Sequence, residues 1–268
     1  MNIKSAKFVY YLPSISVWLI FQILLWQASL IWVSFLVLIF INFLNLRFLP
    51  GINQFNLSRF LMASVAGIFS VSSLAYLSLL PNRSSGQFLI FLVALILYQY
   101  WRLVYKKLSP KPITQKLWQI FKIRTREFVF IGVSLYINFL AIFLLSASLF
   151  ALKYFLSLAY WPIFLILFVS IFLLTFAAAS ACDLLNSLDN KYFWSLVALL
   201  IWQLSIVLFF LPLNYSVIGL ILAILYYSAI NIGRFSLVGK LSQNRLRWYA
   251  LFPALAIILL LISSAWSF

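Results

Sequence analysis

The sequence predicts an all-α fold: a polytopic membrane protein of about nine transmembrane helices, N-terminus inside and C-terminus outside. Three observations predict it. The chain of 268 residues is 66% hydrophobic and only 8% charged, whereas a soluble domain is about half apolar and about a quarter charged. Its charges are absent from long runs, at 8–46, 60–82, 84–101, 128–152, 154–182, 192–233 and 248–268, and a helix needs about 20 apolar residues to cross a hydrocarbon core. Stretches such as FLVLIF (35–40) and FLILFV (164–169) lack the polar–apolar alternation of barrel strands. Backbone groups in lipid must bond internally, so helices remain.

Each element follows from those runs. The first run is about two spans long and divides near Gln27-Ala28-Ser29, which predicts helices at 9–27 and 30–47. Lys4 and Lys7 precede it as in a signal sequence. The apolar run outlasts a signal-peptide core, so the first helix is expected to stay as an uncleaved span. Single spans follow at 60–80, 87–105, 128–151 and 161–182. The run 192–233 breaks at Leu211-Pro212-Leu213-Asn214, a turn signature. That predicts helices at 192–211 and 215–233, with the last at 248–266. No polar insert is large enough for a soluble domain, so 1–268 reads as a single transmembrane domain.

Charge orients the count. Cytoplasmic loops collect Lys and Arg. With the N-terminus inside, 17 of the 19 basic residues fall in inner segments, and only Arg83 and Lys153 fall outside. One miscounted helix would invert every later loop. The net charge of +16 is therefore mostly topology, and no nucleic-acid partner is implied. The longest inner segment is 106–127. Ile113, Leu117, Ile120 and Phe121 recur at helical spacing there, with Lys116, Lys122 and Arg126 on other faces. It reads as a short basic interfacial helix drawn to membrane lipids with anionic headgroups, or else as an ordinary basic loop. Glu127, beside Arg124 and Arg126, is expected to pair with them. The lone Cys182 excludes an internal disulfide, and the absence of His removes the commonest general base and metal ligand.

The remaining carboxylates, Asp183 and Asp189, share one short inner loop with Asn186, Asn190 and Lys191. If helix six ran on, Asp183, Asn186 and Asn190 would share one helical face. Such oxygen ligands suit Mg²⁺; the plainer reading is a polar loop with a helix-ending Asp. The preceding Ala177-Ala178-Ala179-Ser180-Ala181 would let helices approach closely. A second polar cluster, Asn42-Phe43-Leu44-Asn45-Leu46-Arg47, ends helix two as Asp183-Leu184-Leu185-Asn186 ends helix six. The two would fit a pseudo-repeat of helices 1–4 and 5–8.

These features resemble the intramembrane aromatic prenyltransferases of the UbiA type. That family has nine helices, an inner N-terminus and Asp-rich motifs in the inner loops after helices two and six. The resemblance implies that those motifs hold Mg²⁺ and the pyrophosphate of a polyprenyl donor. The family's second motif, D-x-x-D-x-x-x-D, falls here on Asp183, Asn186 and Asn190, with Asp189 adjacent. Its first motif falls on Asn42 and Asn45, with no Asp following. Val104-Tyr105-Lys106-Lys107-Leu108 is similar to the Tyr and basic residues the family carries after helix four. The metal ligands implied are thus Asp183, Asn186, Asp189 and Asn190. The phosphate contacts implied are Arg47, Tyr105, Lys106, Lys107, Lys191, Asn42 and Asn45. The departures are amides where the family has carboxylates, and amides add no negative charge.

Three functions stay open. One is a prenyltransferase-like enzyme binding a polyprenyl diphosphate with Mg²⁺. Another is a transporter of a neutral or lipidic solute, for which Gln22, Gln99, Asn138 and Gln203 are the polar groups deep in the spans. The third is a non-catalytic membrane protein or inactive enzyme descendant. The charge pattern suggests a prokaryotic inner membrane, and the sequence names no protein partner.

Overall fold

A computed structural model of the protein describes residues 3–27, 30–45, 57–80, 82–108, 117–156, 159–239 and 241–264. Arg47 and the loop residues 109–116 lie outside that set, as do the side chains of 117–127. The described residues form nine helices and no strand: α1 Ile3–Trp26, α2 Ile31–Leu44, α3 Leu57–Leu77, α4 Arg83–Leu108, α5 Leu117–Leu156, α6 Tyr160–Ala181, α7 Leu188–Phe209, α8 Tyr215–Leu237 and α9 Gln243–Ser263. Seven of them, α3 to α9, are long and apolar enough to cross a membrane. This is an all-helical, multi-pass membrane protein.

Helix boundaries follow local chemistry. Asn214 caps α8 by accepting a bond from the Ser216 N–H at 3.0 Å, which is why the chain restarts right after Pro212. Ser187 and Ser242 cap α7 and α9 in the same way, accepting from the Asn190 and Arg245 N–H groups. Of the interfacial segment expected at 106–127, residues 109–116 lie outside the described residues, and the stretch from Leu117 belongs to a longer helix. Lys106 and Lys107 end α4, and from Leu117 the chain is already α5, which runs unbroken for 40 residues. At 1.5 Å per residue such a helix is about 60 Å long, roughly twice a hydrocarbon core. Its apolar part begins at Phe128.

The chain divides into two compact units, Met1–Ile137 and Asn138–Phe268, with the boundary inside α5. In the first unit α1 packs on α4, α2 on α3, and α3 on α4. Helix α3 is its core element, because Ala63, Ser64, Ala66, Gly67, Ser70, Ser72 and Ser73 are all buried and small residues let backbones approach. Their hydroxyls turn inward on their own helix: Ser70 Oγ donates to the Ala66 carbonyl and Ser73 Oγ to the Phe69 carbonyl, both at 2.6 Å. Two bonds join helices of this unit. Tyr100 on α4 donates to the Met62 carbonyl at 2.9 Å, and Asn42 on α2 reaches Ser70 Oγ at 3.4 Å.

In the second unit α6 packs on α7, α7 on α8, and α8 on α9. A Cβ placed on Gly219 of α8 would stand 2.9 Å from both the Ala147 nitrogen and the Ala147 Cβ of α5, so only glycine permits that approach. Trp202 Nε1 ties α7 to the Phe164 carbonyl of α6 at 3.0 Å. Helix α9 stands apart: none of its residues is buried.

Candidate functional site

Helix α6 stops abruptly, and the way it stops builds the site. The Asp183 N–H bonds to the Ser180 carbonyl at 3.1 Å and the Leu184 N–H to the Ala179 carbonyl at 3.0 Å. These two bonds are the Schellman termination, which requires a left-handed residue at the position Asp183 holds. Asp183 has φ 57°, and it is the one non-glycine residue with positive φ in the described chain. The helix therefore does not run on. Asp183, Asn186 and Asn190 do not share a helical face, because Asp183 closes α6 while Asn190 sits in the first turn of α7. Local bonds shape the turn instead: Asn186 Nδ2 donates to the Asp183 backbone carbonyl at 3.2 Å, and the Asn190 N–H donates to Ser187 Oγ at 3.2 Å.

Asp183, Asn186, Asp189 and Lys191 are exposed, and Asn190 is half-buried. Asp189 lies in the first turn of α7, where the helix dipole favours a negative charge. Asp183 lies at the opposite kind of terminus, where the same dipole disfavours one. Among the described residues no three His, Cys, Asp or Glu side chains cluster. Magnesium binds carboxylate oxygens while keeping several waters. Asp183, Asp189, Asn186 and Asn190 carry oxygen donors of the type Mg²⁺ takes, and two carboxylates are too few for the charge of a two-metal pyrophosphate centre.

The remaining expected phosphate contacts belong to the first unit. Asn42 and Asn45 at the end of α2 are fully buried. Asn42 Nδ2 donates to the Leu38 carbonyl at 2.8 Å as well as to Ser70, and its Oδ1 has no hydrogen-bond partner among the described residues. Tyr105 is half-buried and Lys106 exposed. Lys107 Nζ lies 4.9 Å from the centre of the Phe130 ring, a cation–π contact that engages its charge. Of the four deep amides, Gln99 and Gln203 are exposed, Gln22 is half-buried and Asn138 alone is buried. Asn138 Nδ2 donates to the Leu174 carbonyl at 3.3 Å.

Two features of the second unit escaped the sequence reading. One is a pair of buried hydroxyls, Thr175 on α6 and Tyr226 on α8, neither with a hydrogen-bond partner among the described residues. Isolated polar residues within apolar spans were the available signal. The other is a cavity of about 400 Å³ between α8 and α9. Its α9 wall is Arg245, Trp248, Tyr249, Phe252 and Pro253, a stripe at helical spacing that was legible. That cavity and the α6–α7 turn lie at one end of the unit. The positions where a Gly233 Cβ would point are occupied by Phe193 and Trp194, 3.0 and 3.1 Å away, so the last turns of α8 sit against the first turns of α7. No known protein family, curated protein or solved structure matches the chain.

Proposed function

We propose that this multi-pass protein lies in a prokaryotic inner membrane and binds a polyprenyl diphosphate, with Mg²⁺, at the α6–α7 turn of its cytoplasmic end. The nine helices would run with the N-terminus inside and the C-terminus outside. One observation carries the reading. An aspartate occupies a cap position where glycine is unstrained, at a helix end where negative charge is disfavoured. Backbone strain of this kind gathers at functional sites, and the exposed carboxylate carried there is the charge such a site would use. Asp183 and Asp189 would hold the ion, which supplies positive charge toward the diphosphate. Lys191 would add a charge-assisted contact.

The burial of Asn42 and Asn45 favours a second reading within this one: a binding protein without prenyl transfer, the remnant of a UbiA-type enzyme. Both readings require metal-dependent polyprenyl diphosphate binding, lost in Asp183→Asn. Turnover with an aromatic acceptor separates them, since the enzyme releases pyrophosphate and the binding protein does not.

A further inference from the structure

The cavity between α8 and α9 shares no lining residue with the α6–α7 turn. Helix α9 touches α8 without burying any residue of its own, so the seam between them is open to the bilayer. The cavity of about 400 Å³ in that seam is within the range of small-molecule sites, roughly 300–1,000 Å³. Its walls are mostly rings: Tyr227 and Phe235 from α8, and Trp248, Tyr249 and Phe252 from α9. Phe235 and Tyr249 meet at 5.5 Å, and Trp248 stacks on Phe252 at 5.0 Å. Pro253 has no N–H to give the Tyr249 carbonyl one turn earlier, which leaves a polar group of α9 beside the rings.

Charge is concentrated at the loop end. The guanidinium of Arg245 lies 5.4 Å from the Phe235 ring centre, and that of Arg234, beside the cavity, lies 4.6 Å from the same ring. Two cations therefore converge on one aromatic side chain, and among the described residues none lining the cavity is acidic. From Arg245 to Phe252 the wall climbs seven residues of helix, about 10 Å at 1.5 Å per residue. An occupant must carry negative charge at one end and an apolar chain at the other. Basic pockets between membrane helices bind anionic lipid headgroups in this way.

We propose that the α8–α9 seam holds one anionic glycerophospholipid of the surrounding leaflet, its phosphate on Arg234 and Arg245 and its acyl chain among the aromatic rings. The full chain, purified in a mild detergent, is titrated with phosphatidylglycerol and with phosphatidylcholine and read by native mass spectrometry. One phosphatidylglycerol should bind at least tenfold more tightly than phosphatidylcholine. Arg234→Gln/Arg245→Gln should lose that preference, while Arg102→Gln, an exposed cation on α4, should keep it. Phosphatidylglycerol with a brominated chain should quench tryptophan fluorescence, and Trp248→Phe should remove most of the change. Equal binding of the two lipids, equal losses in Arg102→Gln, or quenching unaltered by Trp248→Phe would overturn the proposal. Displacement of the lipid by equimolar polyprenyl diphosphate would also overturn it, because the occupant would then be the isoprenoid. Asp183→Asn should leave the lipid site intact, so this proposal and the α6–α7 reading fail separately.

Discussion

Replacing Asp183 by glycine should relieve the strained end of α6 and abolish the binding function, and replacing it by alanine should abolish binding without that relief. The left-handed backbone costs an ordinary L-residue about 1–2 kcal/mol, and aspartate sits near the lower bound. A negative charge at a helix C-terminus costs about 0.3 kcal/mol more when exposed, as Asp183 is. Glycine removes both terms but returns about 0.5 kcal/mol through its freer unfolded chain. Asp183 also makes a further interaction, which the glycine and alanine variants treat alike. Alanine keeps the left-handed backbone cost, so Asp183→Gly should be about 1 kcal/mol more stable than Asp183→Ala, equivalent to about 2–4 °C in Tm by the scaling of domains a little smaller than this chain. Asparagine tolerates the left-handed region better than alanine does, so Asp183→Asn should fall between them. Thermal unfolding of the three variants in one detergent gives the order Gly, then Asn, then Ala. All three variants should lose metal-dependent polyprenyl diphosphate binding. A glycine variant no more stable than the alanine variant would refute the reasoning, because the backbone at 183 would then carry no strain.

Three further outcomes follow from particular contacts. Gly219→Ala should destabilise the second unit by about 1–3 kcal/mol through overpacking, seen as a lower Tm. Ala147→Gly should rescue it only partly, because the Ala147 backbone nitrogen is itself 2.9 Å from the new Cβ. Asn42→Leu should leave stability unchanged or raise it, by up to about 1 kcal/mol, since it exchanges a half-satisfied buried amide for an apolar group. It should leave diphosphate binding intact, and a loss of binding would return Asn42 to the ligand site. Cys182, half-buried beside the α6–α7 turn, should react with a membrane-impermeant maleimide in inside-out vesicles and not in intact cells. A cysteine placed at Asn82 should show the reverse, and the opposite labelling pattern would invert the topology.

Most of the helical framework was legible because charge gaps and turn residues mark lipid-spanning helices directly. The Gln27 and Pro212 breaks fall where α1 and α7 end and α2 and α8 begin. The N-terminal extension of α5 was not legible, since a basic amphipathic stretch reads alike whether it lies along an interface or continues a span. At the candidate site the residues were visible and their geometry was not. The i, i+3, i+7 spacing of Asp183, Asn186 and Asn190 presumes a helix, whereas the Schellman bonds to Ser180 and Ala179 stop it first. Sequence gives little warning of that stop, because glycine is the usual marker and aspartate stands in its place. The burial of Asn42 and Asn45 likewise depends on α3 packing against α2, and a polar end of a helix gives no sign of it.

The most direct test of the account is the affinity of the purified protein for a polyprenyl diphosphate, measured with Mg²⁺ and with chelator, for wild type, Asp183→Asn and Asp189→Asn. The account predicts saturable binding that weakens at least tenfold without the metal and in each variant. Binding indifferent to Mg²⁺ and to both aspartates, or no binding at all, would contradict it.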